Sequence, residues 1–513
     1  MSFYCDRKQD KYFNSAVVSM SISHKRFSAW LIFAGILLFA PPVCAQVDAV
    51  IKISSPESAR IEGRFFDENS NQSNKNWSFL NSIVGVENLG ARISDFKLFD
   101  GQGQTVSVKK LIDGEYLAEG EGARFSYQIN LKSPPDVKAK AHVSFIDNET
   151  GLLMLGDLLP QIAFDKQDVS SRIRVELPVD WKIISGEKFV GANAFEVKDI
   201  EKAIFLLGKN WRTRKIQIGK TELNLTISGE WQFSDDEAAQ MAKEIFAEHE
   251  KLFGASPVET AQIFLMRFPP DVKFGRWEAE TRGSNVVVFS ADMPFKTQSL
   301  QRLHEQLRHE IFHLWMPNNL ALTGNYDWFY EGFTIYQALR TGVAVNQIRF
   351  EDFLATLAEA YNADNRQNEK ISLVEAAKNN RSGTNNRVYA RGMLAAFLCD
   401  VAILRRSKGK KSIADVFRQV YQKHRVPHLP ENGSAAVLKI LQSYAELDLV
   451  IEKYIAGTEK INWKMDLESI GVEEKAENFG VQLSVKTKPN GRQKDLLNEL
   501  GYNNWRKISG KGK

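Results

Sequence analysis

Between residues 46 and 230, hydrophobic positions alternate with polar ones in short segments that Gly, Asn, Asp or Pro separates. Such alternation is typical of β-strands with one buried face. The clearest segments are 49–53, 123–131, 140–146, 172–177 and 222–227. The pattern predicts an all-β, sandwich-like domain over 46–230. The region contains no cluster of His, Cys or acidic residues, so nothing in it suggests chemistry.

From residue 231 onward the apolar positions mostly recur at steps of three and four, the period of an amphipathic helix. A helix is predicted from Ser234 or Asp235 to about Leu252, followed by strands. Later helical patterns cover 350–361, 373–378, 389–406, 413–424 and 435–455. The order predicts an α+β protein with a mixed domain over 231–345 and a helical domain over 346–468. The tail over 469–513 is polar and basic, and we expect it to be weakly structured.

Residues 1–45 have the composition of a secretory signal peptide. The uncharged segment 27–40 follows a basic tripeptide at 24–26 and precedes a small-x-Ala pattern at 43–45. This segment is shorter than the roughly 20 residues that a membrane-spanning helix needs. The pattern predicts translation from Met20, export, and cleavage near Ala45, so that the mature chain is secreted or periplasmic without a stable membrane span. The alternative is a retained N-terminal membrane anchor.

The charge balance limits the classes of partner. The chain has 67 Lys and Arg against 63 Asp and Glu, a net charge of +4. Removal of 1–45 takes away five basic and two acidic residues and lowers the net charge to +1. This near-neutral balance argues against a nucleic acid or an anionic membrane as partner. Removal also takes two of the three Cys, so Cys399 has no partner for an internal disulfide and is predicted to be a buried core thiol.

The segment 309–313 contains the pattern H-E-x-x-H. Positions i and i+4 of a helix lie on the same face, so His309 and His313 can bind one metal ion together. Glu310 would lie beside that ion, where it can accept a proton from water. Glu331 follows His313 by 18 residues. It can supply a third ligand and leave the fourth position of a tetrahedral zinc open.

The surrounding residues favour a helix here. The apolar positions form a core-facing stripe, which consists of Leu300, Leu303, Leu307, Ile311 and Leu314. His309 and His313 lie off this stripe, and Pro317 is predicted to end the helix. Asp327 is predicted to cap a second helix that carries Glu331 in its first turns. The alternative is an exposed helix with two incidental histidines.

The motif, together with W-F-x-E-G-F-x-x-Y at 328–336, resembles the gluzincin metallopeptidases. Two gluzincin families are similar: the M1-type aminopeptidases and the glycyl aminopeptidases. The second resembles more of the chain, over most of residues 120 to 470. The matching segments are H-E-x-F-H-x-W at 309–315, Y-x-R-G at 389–392 with the helix after it, Y-I-x-G-T at 454–458 and L-P-x-x-W at 177–181.

This resemblance implies a thermolysin-like catalytic domain over 231–345, completed by the helices of 346–468. It implies one Zn²⁺ per chain, held by His309, His313 and Glu331. It also implies that Glu310 is the catalytic base and that Tyr389 donates a hydrogen bond to the oxyanion.

An aminopeptidase also needs an acid that holds the free amine of its substrate. The segment 275–285 loosely resembles the amine-binding segment of glycyl aminopeptidases, which places Glu280 in that role. Comparison with the M1-type motif assigns Glu278 instead. Both could also be solvated acids of a loop.

Three features depart from the glycyl aminopeptidase pattern. Met316 occupies a position where that family usually has Asn. The spacing from His313 to Glu331 is shorter than usual in that family, and one residue shorter than in the M1 type. The residues after Leu467 leave no room for the family's C-terminal PDZ domain.

Together, these features predict a secreted zinc aminopeptidase that removes N-terminal residues from peptides. The resemblance to glycyl aminopeptidases points to small residues such as Gly or Ala. An endopeptidase of the same fold is expected if neither Glu278 nor Glu280 reaches the cleft. A non-catalytic binding protein on the same scaffold is the alternative from another class.

Overall fold

The structure is a computed structural model that describes residues 47–65, 75–161, 170–367, 370–378, 386–477 and 480–504. The predicted signal peptide lies outside these residues. The chain from Cys44 onward forms one compact unit. None of the helices within the described ranges is both long and apolar enough to cross a membrane.

Strands dominate the described chain up to residue 208. They are β1 (Val47–Ser55), β2 (Ser58–Phe65), β3 (Asn76–Ser78), β4 (Ile93–Phe99), β5 (Thr105–Val106), β6 (Val108–Ile112), β7 (Glu115–Ala118), β8 (Arg124–Asn130), β9 (Phe145–Ile146), β10 (Thr150–Met154), β11 (Ser171–Glu176), β12 (Lys182–Ser185), β13 (Lys188–Gly191), β14 (Ala194–Val197) and β15 (Ile204–Gly208). The short helix α1 (Leu155–Leu158) and the 3-10 helices Leu89–Arg92 and Val137–Ala141 connect some of them.

These strands form three sheets. The largest has eight strands in the order β13-β14-β11-β1-β2-β8-β4-β5. A four-stranded sheet has the order β12-β15-β10-β9, and a three-stranded sheet the order β3-β7-β6. Their buried faces share a core that includes Trp77, Phe125 and Tyr127. Alternation is clearest in strands that turn one face to this core, such as β11, whereas β15 is buried on both faces.

The next layer is a five-stranded sheet in the order β16-β17-β18-β20-β19. Its strands are β16 (Trp211–Ile218), β17 (Thr221–Ser228), β18 (Thr260–Arg267), β19 (Trp277–Arg282) and β20 (Asn285–Ser290). Helix α2 (Asp235–Phe253) links β17 to β18, and α3 (Lys296–Glu310) follows β20. Ser234 caps α2, as expected, and shares a capping box with Glu237. The sheet spans the predicted domain boundary at residue 230, because β17 pairs in parallel with β18.

Helices form most of the remaining chain. They are α4 (Asp327–Tyr330), α5 (Gly332–Ala344), α6 (Phe350–Asn365), α7 (Leu373–Lys378), α8 (Asn386–Ser407), α9 (Ile413–His424), α10 (Gly433–Leu441), α11 (Asp448–Val450) and α12 (Lys464–Ser469), with the strands β21 (Leu322–Thr323) and β22 (Glu431–Asn432). Shorter turns of 3-10 or π-helix occupy Phe312–Leu314, Ala445–Leu447 and Ile451–Ile455. Asp400 of α8 accepts a hydrogen bond of 2.6 Å from the Tyr336 hydroxyl of α5, which fixes these two helices together.

The prediction that the tail is weakly structured is wrong. The hairpin of β23 (Val472–Glu477) and β24 (Gly480–Val485) and the helix α13 (Gly491–Glu499) occupy this region. Leu496, Leu497 and Leu500 are buried in the main core. The side chain of Asn362 on α6 also bonds both backbone groups of Val481 on β24, at 3.2 and 3.0 Å. A few buried leucines are enough to dock the tail, and its many charged residues conceal them in the sequence.

Candidate active site

The predicted ligands His309, His313 and Glu331 all line one cleft of about 510 Å³. Nε2 of His309 is 3.1 Å from Nε2 of His313 and 3.2 Å from Oε2 of Glu331. Nε2 of His313 is 3.6 Å from Oε1 of Glu331. Among the residues that the structure describes, these three form the one group of three or more His, Cys, Asp or Glu residues whose ligand atoms all lie within 4.8 Å of each other.

The end of α3 differs from the single α-helix that was predicted to carry both histidines. α3 ends at Glu310, and His313 lies in the tighter 3-10 turn Phe312–Leu314, so that prediction is wrong for its last turn. The carbonyl of Arg308 accepts a hydrogen bond of 3.0 Å from Nε2 of the buried His249 on α2. Burial lowers the pKa of His249 to about 3, so its ring is a neutral donor that secures this turn.

The donor set fits a zinc ion. Nδ1 of His313 donates to the carbonyl of Met316 at 2.8 Å, which leaves the lone pair of Nε2 for a metal. Zinc binds imidazole nitrogen at about 2.0–2.1 Å, so two nitrogens on a tetrahedral ion lie ~3.3 Å apart, close to the observed spacing. Burial alone would lower the pKa of His313, but the carboxylate of Glu331 raises it to about 9. The carboxylate of Glu331 thus attracts positive charge to this position.

Glu331 lies at the junction of two helices. α4 begins at Asp327 and α5 at Gly332, so the prediction that Asp327 caps a helix containing Glu331 is wrong. The junction places Glu331 within reach of both histidines despite the short spacing from His313. Burial would raise the pKa of Glu331, but the charges and hydrogen bonds of the two histidines lower it below its usual range.

A pair of glycines brings the start of α5 against α8. A Cβ atom on Gly332 would lie 2.5 Å from the carbonyl oxygen of Val388 and 2.6 Å from Cα of Gly392. A Cβ atom on Gly392 would lie 2.7 Å from Cα of Gly332. Any residue with a Cβ atom at either position would clash with the opposite backbone, so only glycine allows the two helices to come this close. This contact holds Glu331 and Tyr389, which are near it in sequence, on the same cleft.

Glu310 is buried and is oriented by the edge strand of the sheet. Its Oε2 accepts a hydrogen bond of 2.8 Å from the hydroxyl of Thr281 on β19. Burial raises the pKa of Glu310, and the neighbouring His309 and His313 oppose this rise. A carboxylate whose pKa lies above its ordinary value accepts and returns protons more readily near neutral pH. Thr281 was not singled out by any sequence motif.

Tyr389 lies in the first turn of α8 and lines the cleft. Burial, together with the nearby charge of Glu331, raises the pKa of its phenol far above its usual range. The phenol is therefore a hydrogen-bond donor throughout the working pH range. The structure adds a second phenol, Tyr330, which lines the same cleft and whose ring centre is 6.3 Å from that of His313.

Both candidate amine-binding acids line the cleft, on β19. Oε1 of Glu280 accepts a hydrogen bond of 3.1 Å from Nε of Arg282. Oε2 of Glu280 accepts one of 2.6 Å from Nδ1 of His142. Burial would raise the pKa of Glu280, but the charge of Arg282 and the contact with His142 lower it to about 2. Glu278 instead forms an ion pair with Arg276.

His142 comes from the region in which no sequence pattern suggested chemistry. It follows the 3-10 helix Val137–Ala141, and both His142 and Lys138 line the cleft. Its partner Glu280 lies 138 positions away in the chain. The strand-rich part of the protein therefore closes one side of the cleft, which only the folded chain reveals.

Arg391 connects α8 to the chain around residue 455. It is buried and forms an ion pair of 3.1 Å with Asp364. Its guanidinium also donates to the carbonyls of Tyr454, at 3.1 Å, and Glu459, at 2.6 Å. The segments 389–392 and 454–458, which separately resemble the glycyl aminopeptidases in sequence, are thus one structural unit behind Tyr389.

The layers and helices described above form the fold of solved M1-type zinc aminopeptidases. The aminopeptidase N family protein from Idiomarina loihiensis aligns with a TM-score of 0.70 at 14% identity, over 84% of this chain and 79% of that chain. The M1 zinc metallopeptidase from Deinococcus radiodurans aligns with a TM-score of 0.51 at 14% identity, over 80% and 93% of the two chains. A mutant of that metallopeptidase bound to a Tyr-Ser-Ala substrate gives 0.52 at 14% identity, over 82% and 96%.

No protein-family model matches this sequence, and no curated protein sequence matches it either. The similarity therefore lies in the fold, which this chain shares with these solved structures. The narrower resemblance to glycyl aminopeptidases stays a prediction from the sequence.

Proposed function

We propose that this protein is a zinc-dependent aminopeptidase, which hydrolyses the first peptide bond of peptides with a free N-terminus. The observation that carries the proposal is the combination, in one cleft, of a three-ligand metal site and an ionised carboxylate on the edge strand. His309, His313 and Glu331 would hold the zinc. When bound, zinc supplies Lewis-acid polarisation of the scissile carbonyl and makes a water molecule more acidic.

Glu310 acts as general base and then as general acid. Its carboxylate takes a proton from the attacking water and delivers that proton to the leaving amine. The hydrogen bond from Thr281 fixes the orientation of the carboxylate. The raised pKa of Glu310 suits both halves of this proton transfer.

Tyr389 stabilises the charge that develops on the carbonyl oxygen. Its phenol keeps its proton because burial raises its pKa, so it can donate a hydrogen bond to the oxyanion. Such a donor contributes most when it is already held in place. The glycine contact between α5 and α8 provides that support.

Glu280 anchors the substrate amine. Arg282 and His142 keep it ionised and fix it in place, but a carboxylate has about four acceptor sites, so it can still accept from an ammonium group. The anchor determines which peptide bond reaches the metal, because the first bond lies at a set distance from the amine. A preference for small residues such as Gly or Ala is part of the proposal through the glycyl aminopeptidase resemblance.

The experiment that tests this function compares free and N-acetylated forms of the same peptides. Wild-type protein should release the first residue of free peptides and cut acetylated ones poorly. Glu280→Gln should lower kcat/KM for free peptides roughly thirtyfold, which corresponds to ~2 kcal/mol for a lost charge-assisted contact. Gln keeps the shape of the side chain, so the hydrogen bond to Arg282 can persist.

Glu278→Gln is the matched control, since Glu278 is on the same strand and lines the same cleft. It should change kcat/KM by less than about threefold. If Glu278→Gln is the damaging variant, the anchor has been assigned two residues too far along the chain. Equal internal cleavage of acetylated and free peptides would instead establish an endopeptidase, and no cleavage of any peptide would leave the non-catalytic alternative.

Export is also part of the proposal and is supported by the sequence pattern of residues 1–45. The mature chain should begin at Gln46. N-terminal sequencing of the protein from the periplasm or the culture medium measures this directly. Detection of Trp30 in the mature protein would contradict cleavage and favour the retained anchor.

A further inference from the structure

A second cavity, of about 730 Å³, lies beside the cleft. Residues of α3, α5 and α6 line it. Trp277, His309 and Tyr389 line both the cavity and the cleft, so the two spaces meet at the metal site. Nothing in the mechanism described above uses this second space.

Arg308 is the unusual residue of this cavity. Its side chain lines the space although the residue is only 5% exposed. Nη1 donates to Nδ1 of His304 at 2.6 Å, while the buried Nε has no hydrogen-bond partner. A guanidinium stays protonated in proteins. Because Arg308 donates to Nδ1, the proton of the neutral His304 ring is on Nε2, which makes His304 a further donor beside this charge.

The acids that line the cavity are already paired with other arginines. Glu305 is 2.5 Å from Nη1 of Arg302, and Asp352 is 2.7 Å from Nη2 of Arg349. Among the described residues, no carboxylate forms an ion pair with Arg308. A buried charge without a counterion has a high desolvation free energy, so buried cationic groups are usually paired with an anion.

We infer that the cavity at Arg308 binds a carboxylate of the substrate on the leaving-group side of the scissile bond. The inference rests on the proposed aminopeptidase function. With its amine at Glu280 and its first peptide bond at the metal ligands, a peptide extends away from Glu280. Trp277 lies at the opposite end of β19 from Arg282, and it borders the cavity. The carboxylate is either the C-terminal α-carboxylate of a short peptide or an acidic side chain.

Binding to the zinc-loaded Glu310→Gln variant tests this without turnover. Calorimetry would compare alanine peptides of two to five residues as free acids and as C-terminal amides. A second series of amides would carry one Asp at successive positions after the first residue. At one length or one Asp position, the carboxylate should lower Kd roughly tenfold, as expected for one charge-assisted contact. If the Kd is the same with and without the carboxylate in both series, the inference is overturned.

In the double variant Glu310→Gln/Arg308→Gln, the Kd of the preferred acidic peptide should rise to the Kd of the same peptide without that carboxylate. Arg308→Lys keeps a positive charge and should keep part of the preference for the carboxylate. This second variant tests the inference if Arg308→Gln loses its zinc. Arg349→Gln is the matched control, because it removes an equal charge from the same cavity at a residue paired with Asp352. An equal loss of preference in Arg349→Gln would show a general field effect and contradict the assignment to Arg308.

The two proposals fail in different ways. Wild-type protein that cleaves free peptides but binds acids and amides equally would refute the Arg308 subsite and leave the aminopeptidase intact. A carboxylate preference that depends on Arg308, in a protein that cleaves no peptide, would support the subsite and refute the catalytic function.

Discussion

Glu310→Gln should keep one zinc per chain and lose nearly all turnover of free peptides. In the proposed mechanism, the substitution removes the group that accepts the proton of the attacking water, but none of the three proposed metal ligands. The amide oxygen can still accept the hydrogen bond from Thr281, so the local geometry should persist. General acid–base catalysis contributes up to about ten-thousandfold, and we expect kcat to fall roughly a thousandfold or more. Metal analysis and peptide hydrolysis on the same preparation measure both quantities.

Glu331→Ala is the comparison for this variant, because it removes from the same cleft a carboxylate that is proposed as a metal ligand rather than as the base. It should lose both zinc and activity. Full zinc occupancy in Glu331→Ala would show that the third ligand is another residue. Substantial activity in Glu310→Gln would show that another group accepts the proton.

The local parts of the site could be predicted from the sequence because local periodicity encodes them. A spacing of four residues places His309 and His313 on one side of an α-helix. In the structure their Nε2 atoms lie 3.1 Å apart, although His313 belongs to a 3-10 turn. In the predicted apolar stripe, Leu303, Leu307, Ile311 and Leu314 are buried in the structure, and Leu300 is partly buried. The mixed α/β architecture is likewise confirmed, since strands dominate the described chain before residue 209 and helices dominate it after residue 295.

The remaining parts of the site depend on contacts between distant segments, and no local pattern encodes these. His142 reaches Glu280 across 138 positions, and His249 reaches the Arg308 carbonyl across 59. Each is a single histidine without a motif around it. Their positions follow from the packing of sheets and helices, which the sequence pattern alone does not determine.

Gly332 and Gly392 are visible in the sequence motifs, but the sequence does not show why glycine is needed at these positions. Gly332 directly follows Glu331, and Gly392 follows Tyr389 by three positions. Both segments resemble motifs of known families, but that resemblance does not show that the two segments touch. The structure shows that the two backbones meet at a distance that excludes a Cβ atom. The spacing of each glycine from its functional neighbour therefore reflects one shared contact.

That contact gives Tyr389 a fixed position, so removal of its hydroxyl should have a large and specific effect. Tyr389→Phe should lower kcat roughly a hundredfold, in the range measured for the loss of one oxyanion donor. KM should change by less than about threefold, because the hydrogen bond forms to charge that exists only in the transition state. Steady-state kinetics on a free peptide separates the two constants, and zinc content should stay at one per chain.

Tyr330→Phe is the matched control for Tyr389→Phe, since Tyr330 is a second phenol on the same cleft, close to His313. Burial also raises its pKa far above the ordinary value, so both phenols are protonated donors and differ mainly in position. If Tyr389 alone faces the oxyanion, Tyr330→Phe should change kcat only a few-fold. The reverse result, a large loss in Tyr330→Phe and a small one in Tyr389→Phe, would transfer the role to Tyr330. A change in KM alone for Tyr389→Phe would assign its hydroxyl to ground-state binding of the substrate.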